Sequence, residues 1–411
     1  MQINTKKSFY YIFAGIAILL FLLISANRRA DLFIYELGSK DIFAGKDAYS
    51  ISYVDGFHYY YSVLFAILIY PLTFLPVYIG NLIWLCLNAF LLYRIFILVF
   101  NYFNFTTLSN KSRILFILFS FIFSLRFILS NFHNQQITIC ILYLTLEGLR
   151  FIFTGNKIAG ALLIALGINI KLLPIVLLPY LLYRREFIAS FLVIAFYALM
   201  LYLPALIIGY AQNNMLISSW WELINPANTI HNLDVDERSF HSLSTLLATL
   251  LVKNIPDKFA LPIRRNIMDI SYEHLLIILN ITRLILISFS LYFLRTKPFI
   301  SKVGTTHRFV EICYMLLLVP LIFPHQQDYG FLFAMPAATY IIYYLIVEKT
   351  AATYRIIIGC MVFSYLLCNL SLLYGQYRNY YDHFKILTYG VLLLIPLLAV
   401  CFPFKKAITE N

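Results

Sequence analysis

The 411 residues are 62% apolar and only 12% charged, with a mean hydropathy of +0.81 and a formal net charge of +12. Soluble domains are about half apolar and about a quarter charged, so a water-soluble globule is excluded, and the apolar runs recurring from residue 8 to residue 403 describe a polytopic membrane protein. The basic residues come in twos and threes between those runs, a pattern set by membrane topology, and no nucleic-acid partner is expected.

In chain order, the first apolar run, Phe9 to Ile24, follows Lys6 and Lys7 and leads into Asn27-Arg28-Arg29 where a cleavage site would need small residues; it reads as a retained first helix. Residues 28–58 form the first external loop, with a short amphipathic helix on the membrane surface followed by a turn around Gly45-Lys46-Asp47. The run 59–77 is expected to enter the membrane and return. Lys111 and Arg113 lie inside, His133 to Gln136 outside, and Arg150 and Lys157 inside again.

Keeping that alternation requires 158–183 to be two half-helices meeting at Ile170-Lys171-Leu172, a break that Gly167 and Pro174 favour; a continuous span through Lys171 is the alternative. After Arg184-Arg185 a span near 187–208 leads to a large external loop, 209–273. Spans near 274–294, 308–323, 328–346, 356–373 and 384–403 return the chain to Lys405 and Lys406 inside. The expected fold is all-α: one integral membrane domain over 1–411, about twelve transmembrane or re-entrant helices, both termini inside. The whole basic excess then lies on the cytoplasmic face. The six cysteines all fall within apolar runs and form no Cys-x-x-Cys pair, so neither a disulfide framework nor a zinc or redox centre is expected.

A few polar residues stand out against this background. Asp31, at the water boundary just past the first span, either balances Arg28 and Arg29 or serves as a partly desolvated general base. Lys171 lies between Ile170 and Leu172 in an embedded stretch, where a lysine costs roughly 2.5–3.5 kcal/mol; it either snorkels to the surface or binds an anion. Tyr59 to Tyr61, Trp220 and Trp221 suit an interfacial belt or sugar stacking. Asp234-Val-Asp236 mimics a metal-holding Asp-x-Asp signature but lies on the external side of this topology, away from nucleotide sugars, and is read as an acidic loop.

The first external loop, with Asp31 ahead of Gly45-Lys46-Asp47-Ala48-Tyr49, opens a series of motifs that resembles glycosyltransferase family 87, the polyprenyl-phosphate-mannose-dependent mannosyltransferases of the GT-C type. Asp31 precedes Gly45-Lys46-Asp47-Ala48-Tyr49, like the family's aspartate before Gly-x-Asp-x-Tyr. Tyr60-Tyr61-Ser62 stands where the family has Tyr-Pro-Pro, and Gln135-Gln136-Ile137-Thr138 where it has Gly-Gln-x-Asn. Lys171-Leu172-Leu173-Pro174 with Pro179-Tyr180-Leu181-Leu182 matches its Lys-x-x-Pro segment. Phe240-His241-Ser242-Leu243 stands for Asn-Gln-Ser-Leu, and Pro324 and Tyr329, with Asp328, for a late Ser-Pro to His-Tyr segment.

The resemblance spans about residues 28–330. It implies a GT-C fold and transfer of a hexose, mannose, from a polyprenyl-phosphate carrier to a glycan or glycolipid acceptor outside a bacterial inner membrane. The anomeric centre would be inverted, with no cofactor and no metal. It makes Asp31 the catalytic base. Lys171, Arg238 and His325 are the expected phosphate ligands, and Tyr35, Tyr60, Gln136, His241 and Asp328 the expected substrate contacts. The sequence leaves two rivals open: a carrier or flippase of lipid-linked saccharides, which calls for bilobal symmetry, and an inactive member serving assembly.

Overall fold

The computed structural model describes residues 5–225, 240–253, 255, 260–294, 299, 303–348, 353–372 and 375–402. Every regular element in them is a helix. The first half holds α1 (Thr5–Ser25), α2 (Asp31–Phe43), α3 (Val63–Ile69), α4 (Val77–Phe100), α5 (Asn110–His133), α6 (Thr138–Phe153), α7 (Lys157–Ile170), α8 (Leu177–Tyr183) and α9 (Phe187–Tyr202). The second holds α10 (Ala205–Ile208), α11 (Tyr210–Ile224), α12 (Leu243–Leu251), α13 (Tyr272–Leu294), α14 (Thr305–Ile322), α15 (Met335–Val347), α16 (Tyr354–Asn369), α17 (Arg378–His383) and α18 (Ile386–Val400).

The all-α expectation is met among the described residues, whereas only half of the about twelve expected crossings have the length for one. Among the described residues, six segments are long and apolar enough to cross a membrane: Val77–Phe100, Asn110–His133, Phe187–Ile208, Tyr272–Leu294, Thr305–Ile322 and Asp328–Val347. Six shorter apolar stretches of 10–17 residues, among them Val63–Phe74, Lys157–Ile170 and Leu173–Tyr183, fall short of the roughly 20 residues that a crossing takes.

Local chemistry explains where these helices start and stop. The side chains of Ser62, Ser109, Asn156 and Ser242 each accept a backbone N–H in the first turn of α3, α5, α7 and α12, satisfying donors that no preceding turn can reach. α7 ends at Ile170 because Pro174, four residues on, has no N–H to give; Lys171 is extended (φ −152°, ψ 129°) and a 3-10 turn, Leu173–Val176, leads into α8.

α6 and α7 meet at two glycines. A Cβ on Gly160 would stand 2.5 Å from the Gly148 carbonyl oxygen, and one on Gly148 would stand 2.9 Å from that of Gly160. Small residues of this kind let helices in a bilayer make close van der Waals contact, which replaces the absent hydrophobic drive.

The segments 305–322 and 328–347 form the enclosed centre, with Phe309, Ile312, Leu316, Phe331 and Ile341 all fully buried. The outer helices turn apolar side chains away from the protein instead: Ile188, Phe191 and Ile194 on α9, Ile281, Leu284 and Ile285 on α13. Such a surface is stable only in a hydrocarbon solvent. At the end of α8, Arg184 pairs with Glu311 of α14 inside the protein. Tyr180 donates to the same carboxylate at 3.0 Å and His307 lies 2.9 Å from it. A carboxylate with this many partners can be buried, and it ties the α8 end to the central helix.

Candidate active site

A cavity of about 210 Å³ lies between the start of α2, residues 57–61, the break after α7, the end of α11 and the turn 323–329. Its wall is largely apolar, including Ile34, Phe57, Leu172, Leu223 and Phe323, and it holds Asp31 and Lys171 together.

Asp31 is the first residue of α2, where a negative charge meets the positive end of the helix dipole. Its backbone N–H donates to Asn134 O at 3.2 Å, and its carboxylate Oδ2 accepts from Gln136 Nε2. Burial pushes the carboxyl up from 3.8 to about 6, against the opposing pull of the Gln136 hydrogen bond and the Lys171 charge. A base near that value is ionised at neutral pH yet basic enough to share a hydroxyl proton.

Lys171 reaches the cavity because the helix breaks at its backbone. Its ammonium lies 6.0 Å from the centre of the Tyr61 ring, a cation–π arrangement, and leaves the negative end of α7.

The expected contacts divide in two. Tyr35, Tyr60 and His325 line the cavity with Asp31 and Lys171. His325 stacks on Phe240 with ring centres 4.9 Å apart and meets Tyr60 edge-on at 6.3 Å. Trp220, in the wall, fixes Tyr60 by donating to its carbonyl at 3.1 Å. Gln136 is buried behind Asp31, bonded to it and to Tyr35.

His241 and Asp328 stand outside the wall. His241 is buried 3.6 Å from Asp382, and its backbone N–H donates to Gln326 O at 2.9 Å, bracing the turn that presents His325. Burial drives its imidazole down to about 4. Asp328 accepts from Ser130 Oγ at 2.6 Å and lies 3.7 Å from Arg126, tying the 3-10 segment Asp328–Ala334 to α5. Arg238 and the Asp234-Val-Asp236 stretch lie outside the described residues. Among the described residues no group of three or more His, Cys, Asp or Glu could hold a metal ion.

Sequence reading passed over Phe240, Phe323 and Gln326 as lining residues. Phe240 faces the cavity while its neighbour His241 turns to Asp382, a division between adjacent residues that their types do not announce.

Two departures from the resembled motifs have a local reason. Gln135 replaces a glycine yet keeps a glycine-like backbone (φ +51°); its side chain compensates by donating to Arg28 O at 3.2 Å, while its carbonyl accepts from Trp84 Nε1 at 2.8 Å. Ser62, in place of a proline, caps α3 and donates to Asn169 Oδ1 at 2.7 Å.

A family model described as Glycosyltransferase family 87 matches residues 59–298, more than half of the chain. The matched segment contains Tyr60, Gln136 and Lys171, while Asp31 and His325 flank it. No curated protein and no solved structure matches the chain.

Proposed function

For a chain that belongs to glycosyltransferase family 87, we propose transfer of a hexose, mannose, from a polyprenyl-phosphate carrier to a hydroxyl of a glycan or glycolipid. The site lies on the external side of a bacterial inner membrane, and the chain crosses or re-enters the bilayer about twelve times. The observation that carries this reading is the apolar-walled cavity shared by Asp31 and Lys171.

The chemistry has two needs. The acceptor oxygen must lose its proton as it bonds to the anomeric carbon, and Asp31 takes it. The bond from that carbon to the phosphate oxygen breaks on the opposite side, inverting the centre, and the carrier phosphate goes from one negative charge to two. Lys171, with His325 across the cavity, is placed to absorb the growing charge, where low dielectric makes an ammonium most effective. The apolar wall suits the isoprenoid end of the donor, and Tyr60 with Trp220 offers aromatic surface to the sugar.

The test is sugar transfer and sugar release from radiolabelled polyprenyl-phosphate mannose by purified protein, wild type against Asp31→Asn. Wild-type turnover and a silent variant support the reading. Turnover unchanged in the variant, or donor bound and moved between leaflets without cleavage, overturns it.

A further inference from the structure

We infer that Tyr61, Tyr35 and Gln136 form a one-way chain of hydrogen bonds that holds one oxygen of Asp31, so that the acceptor proton is taken by the other. This rests on the proposed role of Asp31 as the base. The direction follows from counting protons. The Tyr35 hydroxyl has a single proton and donates it to Gln136 Oε1 at 3.2 Å. The Tyr61 hydroxyl, 2.9 Å away, must then donate to the Tyr35 oxygen. With Oε1 occupied, the Gln136 amide turns its nitrogen to Asp31 and donates to Oδ2. The opposite amide orientation would set an acceptor oxygen against an ionised carboxylate, so the charge on Asp31 and the Tyr35 proton select the same rotamer.

The chain is anchored at every link. Tyr35 and Gln136 are 1% exposed. The Tyr61 carbonyl accepts from Tyr49 Oη at 2.8 Å, and Gln136 N–H donates to Asn131 O at 2.9 Å. Oδ1 of Asp31 has no hydrogen-bond partner among the described residues, and Asp31 lines the cavity. Gln136 and Tyr35 are therefore positioning residues, a different role from the substrate contacts expected of them. Groups arranged this way strengthen one another in a low-dielectric interior, and loss of any link loosens the carboxylate.

The other charged or titratable groups near Asp31 are Lys171 from the break after α7 and, around the cavity, His58, Tyr60, His325 and Tyr329. None of them is removed by changing Gln136 or Tyr35.

The experiment measures pH profiles of kcat/KM for polyprenyl-phosphate mannose with Gln136→Leu, Tyr35→Phe and Asp31→Asn. Because the Gln136 bond holds the Asp31 carboxyl down, Gln136→Leu should move the acid limb up by about one pH unit. Tyr35→Phe, which removes only the hydroxyl, should move it the same way by less. Both should lower kcat about tenfold, with donor KM within about twofold. Asp31→Asn should have no acid limb to move. If Asp31→Asn is inactive while the Gln136 and Tyr35 variants keep the wild-type limb, the chain is refuted and the base stands. If Asp31→Asn keeps the wild-type rate, the underlying reading fails instead. Should Gln136→Leu prove unfolded by thermal melting, the shift or constancy of the limb in Tyr35→Phe decides.

Discussion

Asp31→Asn should raise the melting temperature of the protein while stopping its chemistry. Holding a carboxyl at about 6 instead of 3.8 means that the ionised form is disfavoured in the folded state by up to about 3 kcal/mol, at about 1.4 kcal/mol per tenfold. The side chain is only part-buried, so this is a ceiling. Asparagine keeps the shape and the Gln136 contact without the charge. The sign follows from linkage. Below pH 3.8 the acid is protonated whether the chain is folded or not, and wild type and variant should be alike. Between 3.8 and 6 the unfolded chain ionises first and wild type loses stability. Above 6 the difference reaches its plateau. The assay is thermal unfolding in detergent at about pH 4 and about pH 7.5, beside transfer rates, which should fall about 100- to 10,000-fold. Equal melting temperatures at the higher pH, or a less stable variant there, would refute the idea that burial of this carboxylate is what tunes it.

Lys171→Met should reduce kcat/KM for the lipid-phosphate donor about 100-fold or more, the usual cost of removing a charge aimed at a developing anion, in a steady-state donor titration. The transfer rate of the unaltered protein should fall as pH drops through about 6, where Asp31 takes up a proton, and a rate flat from pH 5 to pH 8 would contradict a carboxylate base. Ser62→Ala removes the cap of α3 and the bond to Asn169 and should cost about 1–2 kcal/mol in denaturant or thermal unfolding. Glu311→Gln leaves Arg184 buried without its counter-charge; a loss of about 3–5 kcal/mol should appear as poor yield and early melting, with no selective effect on donor KM.

Composition together with the recurring bilayer-length apolar runs was enough to identify an all-helical membrane protein, because 62% apolar residues in 411 leave no other solvent for the chain and runs of that length cross as helices. The break at Lys171 was also legible, since proline and glycine around a lone lysine act locally. The shared cavity was not deducible from spacing: Asp31 and Lys171 are 140 positions apart in sequence (171 − 31), and only the packing of α2 and residues 57–61 around the α7 end brings them together. His241 and Asp328 show the opposite failure. Their residue types suit a substrate pocket, but the buried His241 imidazole faces Asp382 and the Asp328 carboxylate faces Arg126, partners that nothing in the local sequence announces. Gln136 sits where motif matching placed it and acts on Asp31 rather than facing the cavity, a distinction that depends on which way an amide points.

The most direct measurement is a structure of the protein with a non-cleavable polyprenyl-phosphate sugar analogue. The account predicts the phosphate within hydrogen-bond distance of Lys171 Nζ, with the anomeric carbon facing Oδ1 of Asp31 across the same cavity. A phosphate seated away from Lys171, or a sugar separated from Asp31 by packed side chains, would contradict it.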